Sequence, residues 1–179
     1  MGVRTSAFVG TSLDGFIARA DGALDFLPVD GGEPHGYHEF FASVDALVIG
    51  RKTYEAVLAF EQWPYGKRPV FVLSDGALAA APAGALVERL TGTPADIVRA
   101  LEERGFAHAY IDGGATIQRF LAAGLLSRLT VTRVPVLIGD GIPLFGPLPA
   151  DIVVKHVATH AYPSGLVKSE YELATSASP

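Results

Sequence analysis

The sequence predicts a single-domain α/β fold. It is a three-layer arrangement with a mixed, mostly parallel twisted sheet, helices on both faces and a C-terminal antiparallel strand pair. Three observations predict it. Asp45–Gly50, Pro69–Leu73 and Ala109–Ile111 are near-continuous apolar runs, the pattern of strands buried on both faces in a parallel sheet. Helix-like patterns separate these runs, and strands alternating with helices indicate parallel crossovers. Beyond Leu129 the strands follow one another without helices, ending in Ile152–Thr159 and Leu166–Tyr171, joined near Pro163-Ser164-Gly165.

Length and composition fit one domain, with residues 1–173 as its body and 174–179 as a frayed tail. Apolar residues make up 49% of the 179, enough to build a core. No run is long enough to span a membrane, and Thr11, Ser12 and Asp14 interrupt any signal-like N-terminal stretch. The absence of cysteine excludes disulfides, thiolate metal sites and thiol catalysis, and fits a cytoplasmic protein. A net charge of −5 without a basic run argues against nucleic acid as a partner.

The elements follow in order. Val3–Val9 is a strand, broken at Gly10–Gly15 and resumed over Phe16-Ile17-Ala18. Ala20–Pro34 is a long loop, of the kind that serves as a lid or binding loop. His35–Ser43 is a short helix packing Phe40 and Phe41, and Phe60 is expected in the core as well. After Gly50-Arg51-Lys52, Thr53 is the expected N-cap of a helix with Val57 and Leu58 inward. Leu86–Leu90 is a strand. Thr93-Pro94-Ala95-Asp96 then supplies a cap, a proline at the first helical position and an acid at the third. Leu129–Leu137 is a long strand turned by Gly139-Asp140-Gly141.

Ala109–Phe120, AYIDGGATIQRF, reads as strand, Gly-Gly turn and helix N-terminus. Such a turn exposes backbone N–H groups at the positive end of a helix dipole, a phosphate site that needs no charged side chain. It is equally the shape of a plain strand-to-helix turn. Gly50-Arg51-Lys52-Thr53 is a second such junction, with two cations that serve either a phosphate or the solvated surface. Neither G-x-G-x-x-G nor G-x-x-x-x-G-K-[ST] occurs at these turns. His156 and His160 stand about 13 Å apart along one strand, too far to share a metal, and no metal site is expected.

These residues carry a resemblance. Gly50–Glu55 (GRKTYE), Phe71–Ser74 (FVLS), Ile111–Ala115 (IDGGA) and Val131–Phe145 with its Gly139-Asp140 turn resemble dihydrofolate reductases in order and spacing. Ser12–Ala18 (SLDGFIA) is closer to the reductase domain of the riboflavin-biosynthesis deaminase-reductases and their stand-alone relatives. The resemblance covers nearly the whole chain. It implies a dihydrofolate reductase-like fold, NADPH binding and hydride transfer to a small heterocyclic or carbonyl/imine substrate, with a homodimer closed over the final strand pair. Carried over, Gly113, Gly114, Ala115 and Thr116 would hold the pyrophosphate, and Gly50, Arg51, Lys52 and Thr53 would line the second phosphate junction. Arg51 and Ser74 would meet the adenosine 2′-phosphate, Leu73 the adenine, and Gly10 and Ile17 the nicotinamide. Phe41 and Thr132 are the expected substrate contacts, and Asp14 and Glu39 the expected catalytic carboxylates.

The chain also departs from both branches. No acid sits in the motif by which dihydrofolate reductases hold the pterin; the candidates are Glu33 and Glu39. Where the riboflavin-pathway reductases carry an acidic pair, a proline and a phosphate-reading Arg, this chain has Ala56-Val57-Leu58-Ala59. Asp14 reads equally as an Asp-Gly turn residue. A cofactor-binding protein without turnover and a true dihydrofolate reductase stand as the alternatives.

Overall fold

The computed structural model describes residues 2–28, 33 and 35–174. Part of the expected loop at 20–34, and all of the expected tail beyond Ala174, lie outside them. The chain runs β1 (Arg4–Ser12), β2 (Phe16–Ala18), α1 (Tyr37–Ser43), β3 (Ala46–Gly50), α2 (Arg51–Leu58), β4 (Val70–Leu73) and β5 (Val87–Leu90). It continues as α3 (Pro94–Glu103), β6 (His108–Asp112), α4 (Gly114–Ala122), β7 (Arg128–Val134), β8 (Ile142–Pro143), β9 (Val154–Ala161) and β10 (Val167–Leu173). Among the described residues no helix is long and apolar enough to cross a membrane.

The main sheet has the order β5-β4-β3-β6-β1-β7-β10-β9. Its first six strands pair in parallel, and β10 joins β7 and β9 antiparallel, as the apolar runs and the helix-free C-terminal half predict. β2 and β8 form a separate small antiparallel pair.

Side-chain alternation sorts the strands into two cores. Ala46, Val48, Ala109 and Ile111 face α3 and α4, where Ile97, Leu101, Ile117 and Phe120 complete the first core. Leu47, Ile49, Val70 and Tyr110 face α1 and α2, against Tyr54, Val57, Phe40 and Phe41. From β3 the chain crosses to β4 on one side; from β6 it crosses to β7 on the other. The carboxyl ends of β3 and β6 therefore flank a topological switch point, where open α/β sheets place ligands.

Local chemistry explains most boundaries. The Thr93 hydroxyl accepts from the Asp96 N–H and the Asp96 carboxylate accepts from the Thr93 N–H, a complete capping box at the start of α3. β7 stops at Val134, not Leu137, because Pro135 has no N–H for the ladder and Val136 turns back to the Val134 carbonyl. α1 begins at Tyr37 because Gly36 takes φ 82° and breaks any helical start at His35. α2 begins at Arg51, with Gly50 rather than Thr53 as its N-cap, since β3 runs straight into the helix. Phe60, expected in the core, is 50% exposed just beyond that helix.

Candidate functional site

Two helix N-termini meet at the switch point. α2 and α4 start directly after neighbouring strands, with Ile49 opposite Asp112 in the ladder. Neither helix has a side-chain cap or an acidic residue in its first turn. The first N–H groups of each therefore lack an intrahelical partner. The two junctions touch. A Cβ built on Gly113 would lie 2.5 Å from Thr53 Oγ1, and one on Gly50 would lie 2.9 Å from Thr116 Oγ1. Gly113 has φ 96°, so only glycine serves there without strain. Thr53 thus acts as a third-position helical residue against the Gly-Gly turn. Thr116 is buried beneath Gly50, while Ala115 faces solvent.

Gly114 is closely packed as well. Its missing Cβ would meet Ile17 Cδ1 at 2.7 Å, so the small residue admits Ile17 from β2. Arg51 and Lys52 are exposed in the first turn of α2. Two cations at the positive end of a dipole oppose it, and an anion between them relieves the mismatch. Arg51 donates through Nε to Glu55 at 2.8 Å, and one of its terminal nitrogens lies 2.9 Å from the position of a Gly76 Cβ. Ser74 Oγ turns the same loop, accepting from the Gly76 N–H at 3.2 Å. Arg89 of β5 donates to the carbonyls of Ser74 and Asp75. Two guanidinium groups thus flank the loop after β4. Sequence reasoning missed Arg89, whose signal was a cation inside a short strand. Leu73 is buried in the first core at the end of β4.

A cavity of about 250 Å³ opens on the α1 face of the sheet. Gly10 of β1 and Thr132 of β7, paired in the ladder, form its floor; Phe8, His35 and Tyr37 form its walls. Among the described residues, Thr132 Oγ1 and His35 Nε2 are buried with no hydrogen-bond partner. A larger, open cleft of about 600 Å³ lies over β9 and β10, lined by Glu33, Thr159, His160, Tyr162, Lys168 and Glu170. Of the expected substrate contacts, Thr132 lines this cavity. Phe41 packs behind it, stacked on Tyr37 at 5.8 Å with the Arg68 guanidinium 4.1 Å from its ring.

The expected carboxylates are engaged elsewhere. Asp14 accepts from the Gly139 N–H at 2.8 Å and the Ile138 N–H at 3.3 Å, clasping the β1–β2 turn to the loop after β7. The Ser12 hydroxyl, with these N–H groups, holds its carboxyl below the usual range. This is the turn role. Glu39 is exposed on α1, and Glu33 accepts from the Ser164 N–H and hydroxyl.

The acid that stands at the site is Asp112, which sequence reasoning treated only as the end of a strand. It follows Tyr110 by two residues and so shares its sheet face, the face of Phe8 and α1. The residue retains some exposed surface, but its carboxyl lies deep, and burial pushes its pKa up to about 6 against the opposing Gly113 N–H, which it accepts at 2.8 Å. Burial, with Asp112 nearby, raises Tyr37 to about 12 and lifts Tyr65 and Tyr110 as well. The signal in sequence was an ionisable residue closing an apolar run directly before Gly-Gly. His108 was also missed. It is buried at the opposite end of β6, beside Arg4 Nη2 at 3.0 Å and Ser6 Oγ at 2.8 Å, far along the strand from the helix termini.

A mostly parallel sheet with an antiparallel edge and two strand–glycine–helix turns at its switch point defines the dihydrofolate reductase-like class, the fold expected from the sequence. Residues 6–168 match the family described as RibD C-terminal domain, and the chain belongs to that family. It is 37% identical to the "putative riboflavin biosynthesis protein" of Shewanella sp. PV-4, with a TM-score of 0.86 over 97% of this chain and 99% of that one. It is 33% identical over 149 residues to the uncharacterized protein YwjB of Bacillus subtilis (strain 168), covering 79% of this chain and 82% of YwjB. A Thermotoga maritima diaminohydroxyphosphoribosylaminopyrimidine deaminase/5-amino-6-(5-phosphoribosylamino)uracil reductase shares the fold alone. It is 16% identical with a TM-score of 0.73, over 96% of this chain and 57% of that one. The family is riboflavin-biosynthesis reductase-like.

Proposed function

We propose that this chain is a cytoplasmic, NADPH-dependent reductase that delivers hydride to a small heterocyclic or carbonyl/imine substrate. The observation that carries the reading is the pair of uncapped helix N-termini joined at Gly113 and Thr53, with Arg51 and Lys52 set against the α2 dipole. A pyrophosphate satisfies both orphaned N–H sets and both cations at once. Gly113, Gly114, Ala115 and Thr116 would hold it from α4, and Gly50, Arg51, Lys52 and Thr53 from α2. Arg51, Arg89 and the Ser74 turn suit a further phosphate beside β4. When bound, the cofactor supplies the hydride.

The chain itself supplies a largely apolar cavity and a proton. Phe8, Tyr37 and Val134 give the cavity its walls, while Gly10 leaves the floor flat. Asp112 carries its proton at mildly acidic pH, up to about 6, where an ordinary carboxyl has lost it. β9 is an edge strand exposed along all eight residues, including Val154 and Val157. Such an edge calls for a cover, and a second copy of the chain is the proposed one.

Titration with NADPH and NADH, followed by fluorescence, tests the cofactor assignment. NADPH should bind about 10- to 100-fold more tightly, the worth of one charge-assisted contact, and Arg51→Ala should erase most of that margin. Equal affinities in the wild type remove the 2′-phosphate role. Light scattering at micromolar concentration should give twice the 18.8 kDa chain mass, and the monomer mass removes the dimer.

A further inference from the structure

We infer that Tyr37 is the catalytic residue that hands the proton to the substrate, and that Asp112 is the reserve that refills it. This rests on the reductase reading of the same site, in which the bound cofactor supplies the hydride.

The need for a second group comes from position. Asp112 closes β6 beside the helix termini and is not among the residues that line the cavity over β1 and β7. Of the described residues that do line it, only His35, Tyr37 and Thr132 carry an N–H or O–H on the side chain. Thr132 is an alcohol, too weak an acid to give its proton up. His35 stands toward β9 and β10, where its ring meets Tyr162 edge to face at 5.0 Å. Tyr37 stands toward β6. Its ring meets Phe8 of β1 at 5.6 Å and Tyr110 of β6 at 6.4 Å, both edge to face. Asp112 follows Tyr110 on the same sheet face, about 7 Å further along the strand. Tyr37 therefore bridges the cavity and the region of Asp112.

The hydroxyl is free for this role. Tyr110 donates its own to the Phe8 carbonyl at 2.9 Å. Tyr65 is buried in the second core and does not line the cavity. The Tyr37 hydroxyl makes no hydrogen bond to any described residue. The charged and titratable groups around it are Asp112, Tyr65, Tyr110, His35, His38 and Arg68. Arg68 is turned away to the Val44 carbonyl and the Phe41 ring. Burial, with Asp112 nearby, holds the phenol at about 12, so it stays neutral and gives up no proton unaided. Asp112 keeps its proton up to about pH 6. One water, or a polar atom of the substrate, completes the path between them.

The step balances. Hydride adds to the carbon of a C=N or C=O bond, and the heteroatom receives the electron pair of the broken π bond. A new N–H or O–H bond forms there as the Tyr37 O–H bond breaks. The Asp112 O–H bond breaks in turn and re-forms the tyrosine hydroxyl. One hydride and one proton are consumed, Asp112 is left as the carboxylate, and solvent returns its proton before the next turnover. Tyr37 is neutral at both ends of the step, so the charge change falls on Asp112 alone.

Two measurements test it. The first needs no substrate. Carbon-13 NMR follows the Asp112 carboxyl of the cofactor-free protein through its titration, with Asp112→Asn to assign the signal. Tyr37→Phe should raise the midpoint by about half a pH unit or more, because the carboxylate loses a donor that it reaches through water. The second is NADPH oxidation with 5-amino-6-(5-phosphoribosylamino)uracil, its unphosphorylated riboside, an aromatic aldehyde and a cyclic imine as probes. With the probe turned over fastest, Tyr37→Phe should lower kcat about 10²–10⁴-fold and change KM and NADPH affinity less than about threefold. A 3-fluorotyrosine at position 37, nearly the same shape and a stronger acid, should restore kcat. His35→Gln should move KM more than kcat. The inference is overturned if Tyr37→Phe leaves the Asp112 midpoint or kcat at the wild-type value, if fluorotyrosine fails to restore kcat, or if His35→Gln takes the larger loss of kcat. A wild type that binds no NADPH, or binds it and turns over no probe, overturns the reductase reading and the inference with it.

Discussion

Replacing Asp112 by Asn should make the protein more stable and less active. Asn keeps the acceptor for the Gly113 N–H, so the turn survives. What changes is the cost of ionisation. Lifting a carboxyl from its usual 3.8 to about 6 corresponds to ~3 kcal/mol in favour of the protonated form. Because the residue keeps some exposed surface, ~1–2 kcal/mol is the realised amount. The sign follows from proton counting. Between pH 4 and 6 the unfolded chain gives up this proton and the folded chain keeps it, so stability falls as pH rises and stays reduced above about 6. Asp112→Asn escapes the penalty. Its melting temperature should match wild type near pH 4 and exceed it by ~2–8 °C at pH 8. Turnover should fall by about 10²–10⁴-fold, and the wild-type decline of kcat/KM above about pH 6 should vanish from what remains. Thermal melts at both pH values, with an NADPH-oxidation pH profile, check this. A variant that is less stable at pH 8, or that keeps the wild-type pH profile, refutes the role assigned to Asp112.

Ala115→Asp puts a carboxylate in the exposed first turn of α4, where the dipole favours it by ~0.3–1 kcal/mol. The melting temperature should hold or rise while NADPH affinity drops more than tenfold, and unchanged affinity in a titration would show that the turn holds no phosphate. His108 is held neutral mainly by burial, so its pKa lies below the usual value and stability is lost as pH falls through about 6.5. Melts of His108→Asn from pH 7 to 5 should therefore show a shallower acid limb than wild type. Dihydrofolate should be turned over little or not at all, because Glu33 is clasped by Ser164 and Glu39 faces solvent. Robust NADPH oxidation with dihydrofolate, lost in Glu39→Gln, would contradict that.

The sheet was legible because its inner strands are buried on both faces, so β3, β4 and β6 stand out as unbroken apolar runs. The capping box at Thr93 was legible because all its parts lie within four residues. Boundaries failed where a neighbour decided them. β9 was displaced by two residues because both its faces are exposed, which leaves no apolar alternation to fix its ends. The start of α2 was misread because Thr53 carries a capping side chain, whereas the fold uses it against Gly113 from the next crossover. The same distinction divides the site. The Gly-Gly turn and Arg51-Lys52 are local patterns and were visible. The cavity is assembled from β1 and β7, more than a hundred residues apart, and from the approach to α1, and its members carry no shared motif. Asp112 fell between the two cases: its position before Gly113 is local, but only the aromatic second core around it turns a strand end into a proton holder.

That placement has one more consequence. Asp112 donates no proton to the Gly-Gly turn; it accepts the Gly113 N–H at 2.8 Å, so its charge state and the turn are coupled. A pyrophosphate held by the adjacent N–H groups of α4 brings negative charge beside a carboxyl already lifted to about 6. Like charge raises a carboxyl further. Near pH 6.5, where the free protein has ionised Asp112 in part, NADPH binding should draw a proton onto it. By linkage, affinity should then weaken as pH climbs from 6 to 8. The cofactor's own 2′-phosphate ionises near pH 6 and releases protons when it meets cations, so the wild type must be compared with Asp112→Asn. Calorimetric titrations of both proteins at pH 6.5, in two buffers of different ionisation heat, count the protons. The wild type should take up more than the variant, by a fraction of one proton per cofactor bound. Equal counts would mean that the Asp112 carboxyl does not sense the pyrophosphate, and would separate the proton holder from the cofactor turn.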